Sequence, residues 1–228
     1  MNKKTFYTEA AYAAGMIALA IGTALMERAN FGMSMVVAPA YLLHVRLVKI
    51  LPFFSFGMAE YTLQAVILLL LAAFMRRFRL SYLFSFCTAV FYGMVLDGML
   101  ALAAFLPAQA VVMRLVYYLL GMLLCSVGVS LLFHTYIAPE AYELFVKEVS
   151  AKVGMDIHRF KTLYDCVSCA VGVAMSFAFF GFGRFEGVKL GTIFCALING
   201  SIIGWCAKML EAKFEFRDGL PLKAYFEK

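Results

Sequence analysis

An all-α fold is what this sequence predicts: a polytopic transmembrane helix bundle of six spanning helices, arranged as two inverted three-helix repeats, each with an interrupted or interfacial helix. Three observations lead there. Hydrophobic residues make up 64% of the 228 residues and charged ones 15%, against about half and about a quarter in soluble domains, and mean hydropathy is +0.87. The apolar residues come in long uncharged blocks rather than short amphipathic ones, which excludes a conventional water-soluble core. The third observation is an internal self-similarity, set out below after the elements themselves.

A membrane helix needs about 20 apolar residues to cross roughly 30 Å of hydrocarbon. Six segments meet that requirement or nearly do: 10–26, then 53–75 interrupted by Glu60, 80–106 interrupted by Asp97, 115–133, 166–183 and 190–207. The first follows Lys3 and Lys4 in the manner of a signal peptide, but it is too long for an h-region and ends in Glu27-Arg28, so a retained helix is expected. Segment 30–52 is apolar but broken by Pro39, Arg46 and Lys49, and is expected to form a partial or interfacial helix. In segment 139–153, Tyr142, Phe145, Val146 and Val149 recur at helical spacing, while Glu140, Glu143, Lys147 and Glu148 are expected to turn largely elsewhere. That pattern suits a helix lying in the interface plane, serving either as a surface connection or as a gate. The domain plan is one membrane domain, 1–228, with repeat 1 at about 10–106, repeat 2 at about 115–208 and a cytoplasmic tail at 209–228.

The net charge of +6 does not point to nucleic acid, because the basic residues sit at the ends of apolar blocks, where anionic headgroups and topology account for them. With six spans and a cytoplasmic N-terminus, 14 of the 20 lysines and arginines fall inside. Letting 30–52 span as well moves Arg76, Arg77 and Arg79 outside, against the positive-inside rule. Both termini are therefore expected in the cytoplasm of a bacterial inner-membrane protein.

The self-similarity begins with Gly15-Met-Ile-Ala-Leu-Ala-Ile-Gly22, answered by Gly121-Met-Leu-Leu-Cys-Ser-Val-Gly128 at an offset of 106 residues. Ala38-Pro39 is answered by Ala138-Pro139, Glu60 by Asp165, and Cys87 with Gly93 by Cys195 with Gly200, in the same order. Three spans per half is an odd number, so the second copy enters the membrane the other way up. Transporters use such inverted repeats, with broken helices lining a site near the midplane, though architecture alone does not assign a function.

The pattern of Gly15, Gly22, Phe31-Gly-Met-Ser34 and Ala38-Pro39, followed by Gly187-Val-Lys-Leu-Gly191-Thr192 and Gly200, resembles the YitT/YczE-like bacterial membrane proteins over most of the chain. The resemblance implies a multi-span inner-membrane protein, often presumed a transporter. Without the soluble C-terminal domain of YitT-type members, the chain looks closer to the shorter YczE-type branch.

Ionisable groups inside spans cost at least about 2.5–3.5 kcal/mol at the centre, which makes each a candidate site. Along a helix rising 1.5 Å per residue, Tyr92 lies about 18 Å from Leu80 and Asn199 about 15 Å from Lys189, both near the midplane. Each precedes a glycine of the repeat, Gly93 or Gly200, so the two are expected to face each other across the pseudo-symmetry axis or to make interhelical hydrogen bonds. Glu60, with Gln64 one turn further on, and Asp165 enter from opposite sides, either as helix-start carboxylates or as ligands for a cationic substrate or a coupling proton. Asp97, about 25 Å from Leu80, falls towards the outer interface. The candidate substrate- or ion-binding set is thus Glu60, Gln64, Tyr92, Asp97, Asp165 and Asn199.

Catalysis has little to build on. No nucleophile–base set, HExxH, Walker loop or dinucleotide fingerprint occurs, and the three histidines are isolated in sequence. Cys166-Val-Ser-Cys169 is formally CxxC, but without a second pair it reads as packing thiols. No enzyme activity, metal or cofactor is expected. The partners expected are the lipid bilayer, an unknown small molecule or ion, and a second copy or another membrane protein. Two functions fit: a transporter with a site between the repeats, or a non-transporting scaffold, chaperone or regulatory partner of another complex.

Overall fold

In hydrocarbon every backbone N–H and C=O must find its partner within the protein, and an apolar segment does so by closing its own helix. The computed structural model describes residues 4–220. It contains six helices long and apolar enough to cross a membrane: α1 (Thr8–Ala29), α3 (Phe56–Met75), α4 (Leu80–Ala103), α5 (Val111–Phe133), α7 (Ile157–Phe180) and α8 (Leu190–Lys213). Two shorter helices, α2 (Ala38–Leu47) and α6 (Ala141–Val153), complete the helical set among the described residues. The chain is a multi-pass membrane protein, and Leu69, Leu70, Phe91, Leu197 and Trp205 lie exposed on the outside of the bundle, where lipid covers them.

The centre of the bundle is the pair α1 and α5. Their glycines meet in reverse order, Gly15 against the Gly128 carbonyl and Gly22 against the Gly121 carbonyl, so the helices run antiparallel. A Cβ on Gly22 would lie 2.7 Å from the Gly121 oxygen and 2.6 Å from Cys125 Sγ, so backbone contact this close requires glycine on both helices. Around this pair, α4 packs on α1 and α3, while α8 packs on α5 and α7. The short helices bridge the halves: α2 lies against α3 and α7, and α6 lies against α7 and α3.

Both short helices begin in the interior. Ser34, Ala38, Pro39 and Ala40 are buried at the start of α2, whereas Ile50 beyond its end is exposed. The stretch ahead of α2 is held by the start of α8, with Gly191 N donating to the Phe31 carbonyl and Met33 N to the Gly187 carbonyl. Gly32 has φ +114, and any side chain there would collide with Thr192 Oγ1. Ahead of α6 the same task falls to α4, whose Ser85 and Thr88 hydroxyls donate to the carbonyls of Pro139 and Ala138. These bonds satisfy unwound backbone that has no helix of its own.

Three expectations are corrected. The acids of α6 are not turned away from its buried face, since Glu140 and Glu143 are buried at 1% and 3% exposure, along with Tyr142 and Val146. The fifth span starts at Ile157 rather than residue 166, because Asp156 Oδ1 accepts from the N–H groups of His158 and Arg159 and caps the helix there. Finally, α8 runs to Lys213, and the chain then pairs as β2 (Phe214–Arg217) with β1 (Lys4–Tyr7) in a short parallel ribbon. Phe6 packs between Phe214 and Phe216 and holds that ribbon, which an all-helical reading does not contain.

Candidate functional site

Glutamate and glutamine four residues apart share one face of a helix, and on α3 that face, carrying Glu60 and Gln64, points into the bundle where both side chains are fully buried. Opposite stands the first turn of α6. Tyr142 Oη donates to Glu60 Oε2 at 2.6 Å. Gln64 uses both ends of its amide: Nε2 donates to Glu140 Oε2 at 2.8 Å, and Oε1 accepts from the Ala141 N–H at 2.9 Å. Glu140 is the N-cap residue of α6 and Glu143 lies in its first turn, so both sit at the positive end of the helix dipole.

Helix α7 contributes the counter-charge. Lys161 and Asp165, also four apart, form an ion pair at 3.1 Å, and the same ammonium lies 3.6 Å from Glu143 Oε1. The Tyr164 ring faces it at 5.5 Å. Lys161 is 2% exposed and Asp165 is fully buried. Glu60 Oε1, Glu140 Oε1 and Glu143 Oε2 have no hydrogen-bond partner among the described residues. Burial, with the Glu143 and Glu60 carboxyls beside it, pushes the Glu140 carboxyl well above the usual range.

Tyr92 and Asn199, the residues expected near the midplane, lie beside this cluster. Tyr92 Oη and Thr23 Oγ1 lie 3.0 Å apart, joining α4 to α1, and Ser126 Oγ donates to Asn199 Oδ1 at 2.9 Å, joining α5 to α8. Tyr92, Asn199, Ser34, Tyr142, Glu140, Glu143 and Lys161 together line a small cavity of about 30 Å³. A wider vestibule, about 680 Å³, opens on the side where α1 begins, since Tyr136 in its wall bonds Glu9 of the first turn of α1; Arg77, Arg79, Lys147 and Pro139 also line it. The stretch 138–144 borders both spaces: Ala138, Pro139 and Leu144 line the vestibule, and Glu140, Tyr142 and Glu143 line the cavity.

Of the candidate residues, Glu60, Gln64, Tyr92, Asp165 and Asn199 thus come to one buried region. Asp97 does not. Its Oδ1 accepts from the Gly57 N–H at 2.8 Å and its Oδ2 from Ser55 Oγ at 2.7 Å, which fastens the start of α3 to α4. Sequence reasoning missed Glu140, Glu143, Tyr142 and Lys161. A signal for the first two was their spacing of three, which sets both on one helix face. The signal for Lys161 was its i,i+4 partner Asp165, following an N-cap aspartate at 156.

One comparison with known proteins returns a match. The model of DUF6198, a family of unknown function, covers residues 6–208. That match carries no link to the YitT/YczE-like proteins that the glycine pattern resembles. No curated protein and no solved structure matches the chain.

Proposed function

We propose that this chain, which belongs to the DUF6198 family of unknown function, is a transporter of a small cation whose site lies between two inverted repeats near the bilayer midplane. One observation carries the reading: four buried carboxyls, Glu60, Glu140, Glu143 and Asp165, gather in one region with a single ammonium, Lys161, which pairs with two of them, and each of the four has at least one oxygen that makes no hydrogen bond among the described residues. Charge placed inside a membrane protein at this cost is ordinarily kept for a function.

The inverted repeat is supported by reciprocity. If α1 to α4 correspond to α5 to α8, Gly15 and Gly22 are the counterparts of Gly121 and Gly128, and each meets the other's counterpart, as a two-fold axis requires. The pairs α3–α4, α1–α4, α2–α3 and α3–α6 then answer α7–α8, α5–α8, α6–α7 and α7–α2. Half-helices starting at the cavity from both repeats are the arrangement of alternating-access transporters. The excess of basic residues on the vestibule side supports a cytoplasmic position for that side in a bacterial inner membrane.

The test is uptake into proteoliposomes of radiolabelled sodium, potassium, guanidinium or ethylammonium. The wild-type chain is expected to carry at least one of them above protein-free vesicles. Glu60→Gln and Asp165→Asn are expected to lower that flux roughly tenfold or more, the equivalent of one charge-assisted contact. Wild-type flux no greater than that of empty vesicles for the whole set would favour a non-transporting scaffold instead.

A further inference from the structure

We infer that the buried cluster is a proton-exchange site in which Glu60 and Glu140 each carry a proton, while Glu143, Asp165 and Lys161 remain charged. The inference rests on the cation-transport reading for its purpose, but its physical basis is the charge balance of the site. Four buried carboxyls share one region with a single ammonium, Lys161, which pairs with two of them. The N-termini of α2 and α6, whose first residues line or adjoin the cavity, contribute roughly half a positive charge each. About two positive charges therefore stand against four acids, and a buried excess of two negative charges relaxes by taking up protons.

The geometry selects which two acids are neutral. Asp165 and Glu143 share the Lys161 ammonium at 3.1 and 3.6 Å. Glu60 and Glu140 have no such ion pair. Each instead places Oε2 on a neutral donor, Tyr142 or Gln64, leaving Oε1 to carry the proton; all four acids have an oxygen without a hydrogen bond among the described residues, so it is the ion pair that separates the charged two from the neutral two. The titratable groups facing these two acids are Tyr142 and Glu143 from α6, Lys161 and Asp165 from α7, and Tyr92 from α4. Tyr12 of α1 and Cys125 of α5 also neighbour Glu140, and Cys125 lines the same cavity. Lys161 is the one cation in this group. A cation entering the cavity then displaces one proton for each positive charge it brings, and the exchange is electroneutral.

Infrared difference spectroscopy of the full chain in lipid vesicles at neutral pH tests this through the carbonyl stretch of protonated carboxylic acids. Wild type is expected to show such a band, with Glu60→Gln and Glu140→Gln each removing a component and Asp165→Asn removing none. A spectrum without the band, or one whose band disappears in Asp165→Asn alone, would overturn the inference. If a glutamine variant does not fold, wild-type thermal unfolding decides. A folded state that binds more protons than the unfolded one loses stability as pH rises above the ordinary carboxyl range. Stability that is flat or rising across that range would count equally against it. The spectrum reads protonation whether or not solute moves, so a protonated site in vesicles without cation flux would sink the transport reading alone.

Discussion

Gln64 is the residue that ties the carboxyl cluster to the backbone. Its amide bonds the Glu140 carboxyl and the Ala141 N–H, and both bonds are out of reach of water. Gln64→Leu keeps the volume but orphans a buried N–H and a carboxyl oxygen, and it should cost about 2–4 kcal/mol. Chemical denaturation in micelles measures this, and a change below about 0.5 kcal/mol would mean that the start of α6 is held by something else. Glu60 and Gln64 could be read from the sequence because they interrupt an apolar block. Glu143 and Lys161 could not, because their burial depends on each other: an acid on α6 and a base on α7 are affordable inside only once the fold has paired them. Asp97 shows the converse, an intramembrane acid that caps a neighbouring helix and has no place in the site.

At the scale of elements, the α1–α5 contact fixes where the two halves meet. Gly22→Val would drive new carbon into the Gly121 carbonyl and the Cys125 backbone, neither of which can swing aside. Overpacking of this kind costs about 1–3 kcal/mol, and a fall in melting temperature with loss of monodisperse protein on size-exclusion chromatography is the expected outcome. Gly98→Val, at a position where an added Cβ meets nothing within 4 Å, is the control that should leave both unchanged. Hydropathy placed all six spans because their outward faces are apolar. It failed at the start of α7, where the charged turn containing Arg159, Lys161 and Asp165 precedes the apolar run, and at α6, whose acids face inward. Hydropathy records how many charges a segment carries, and the direction each one points has to come from packing.

On the scale of the whole molecule, a cavity of about 30 Å³ and a vestibule of about 680 Å³ are both bordered by the start of α6. The basic rim of the vestibule, Arg77, Arg79 and Lys147, and the acidic floor behind Glu140 give the path a change of sign over a few residues. In a transporter, α6 and its counterpart α2 are the parts that move, each uncovering the same cavity to one side. In a scaffold the cavity stays shut. The most direct measurement is the accessibility of Ser34→Cys, at the cavity wall, in a chain whose six native cysteines have been replaced, using a membrane-impermeant thiol reagent on oriented vesicles. Labelling from each side in turn, slowed by the transported cation, is the outcome expected of alternating access; a thiol that reacts from neither side, with or without cation, would contradict it.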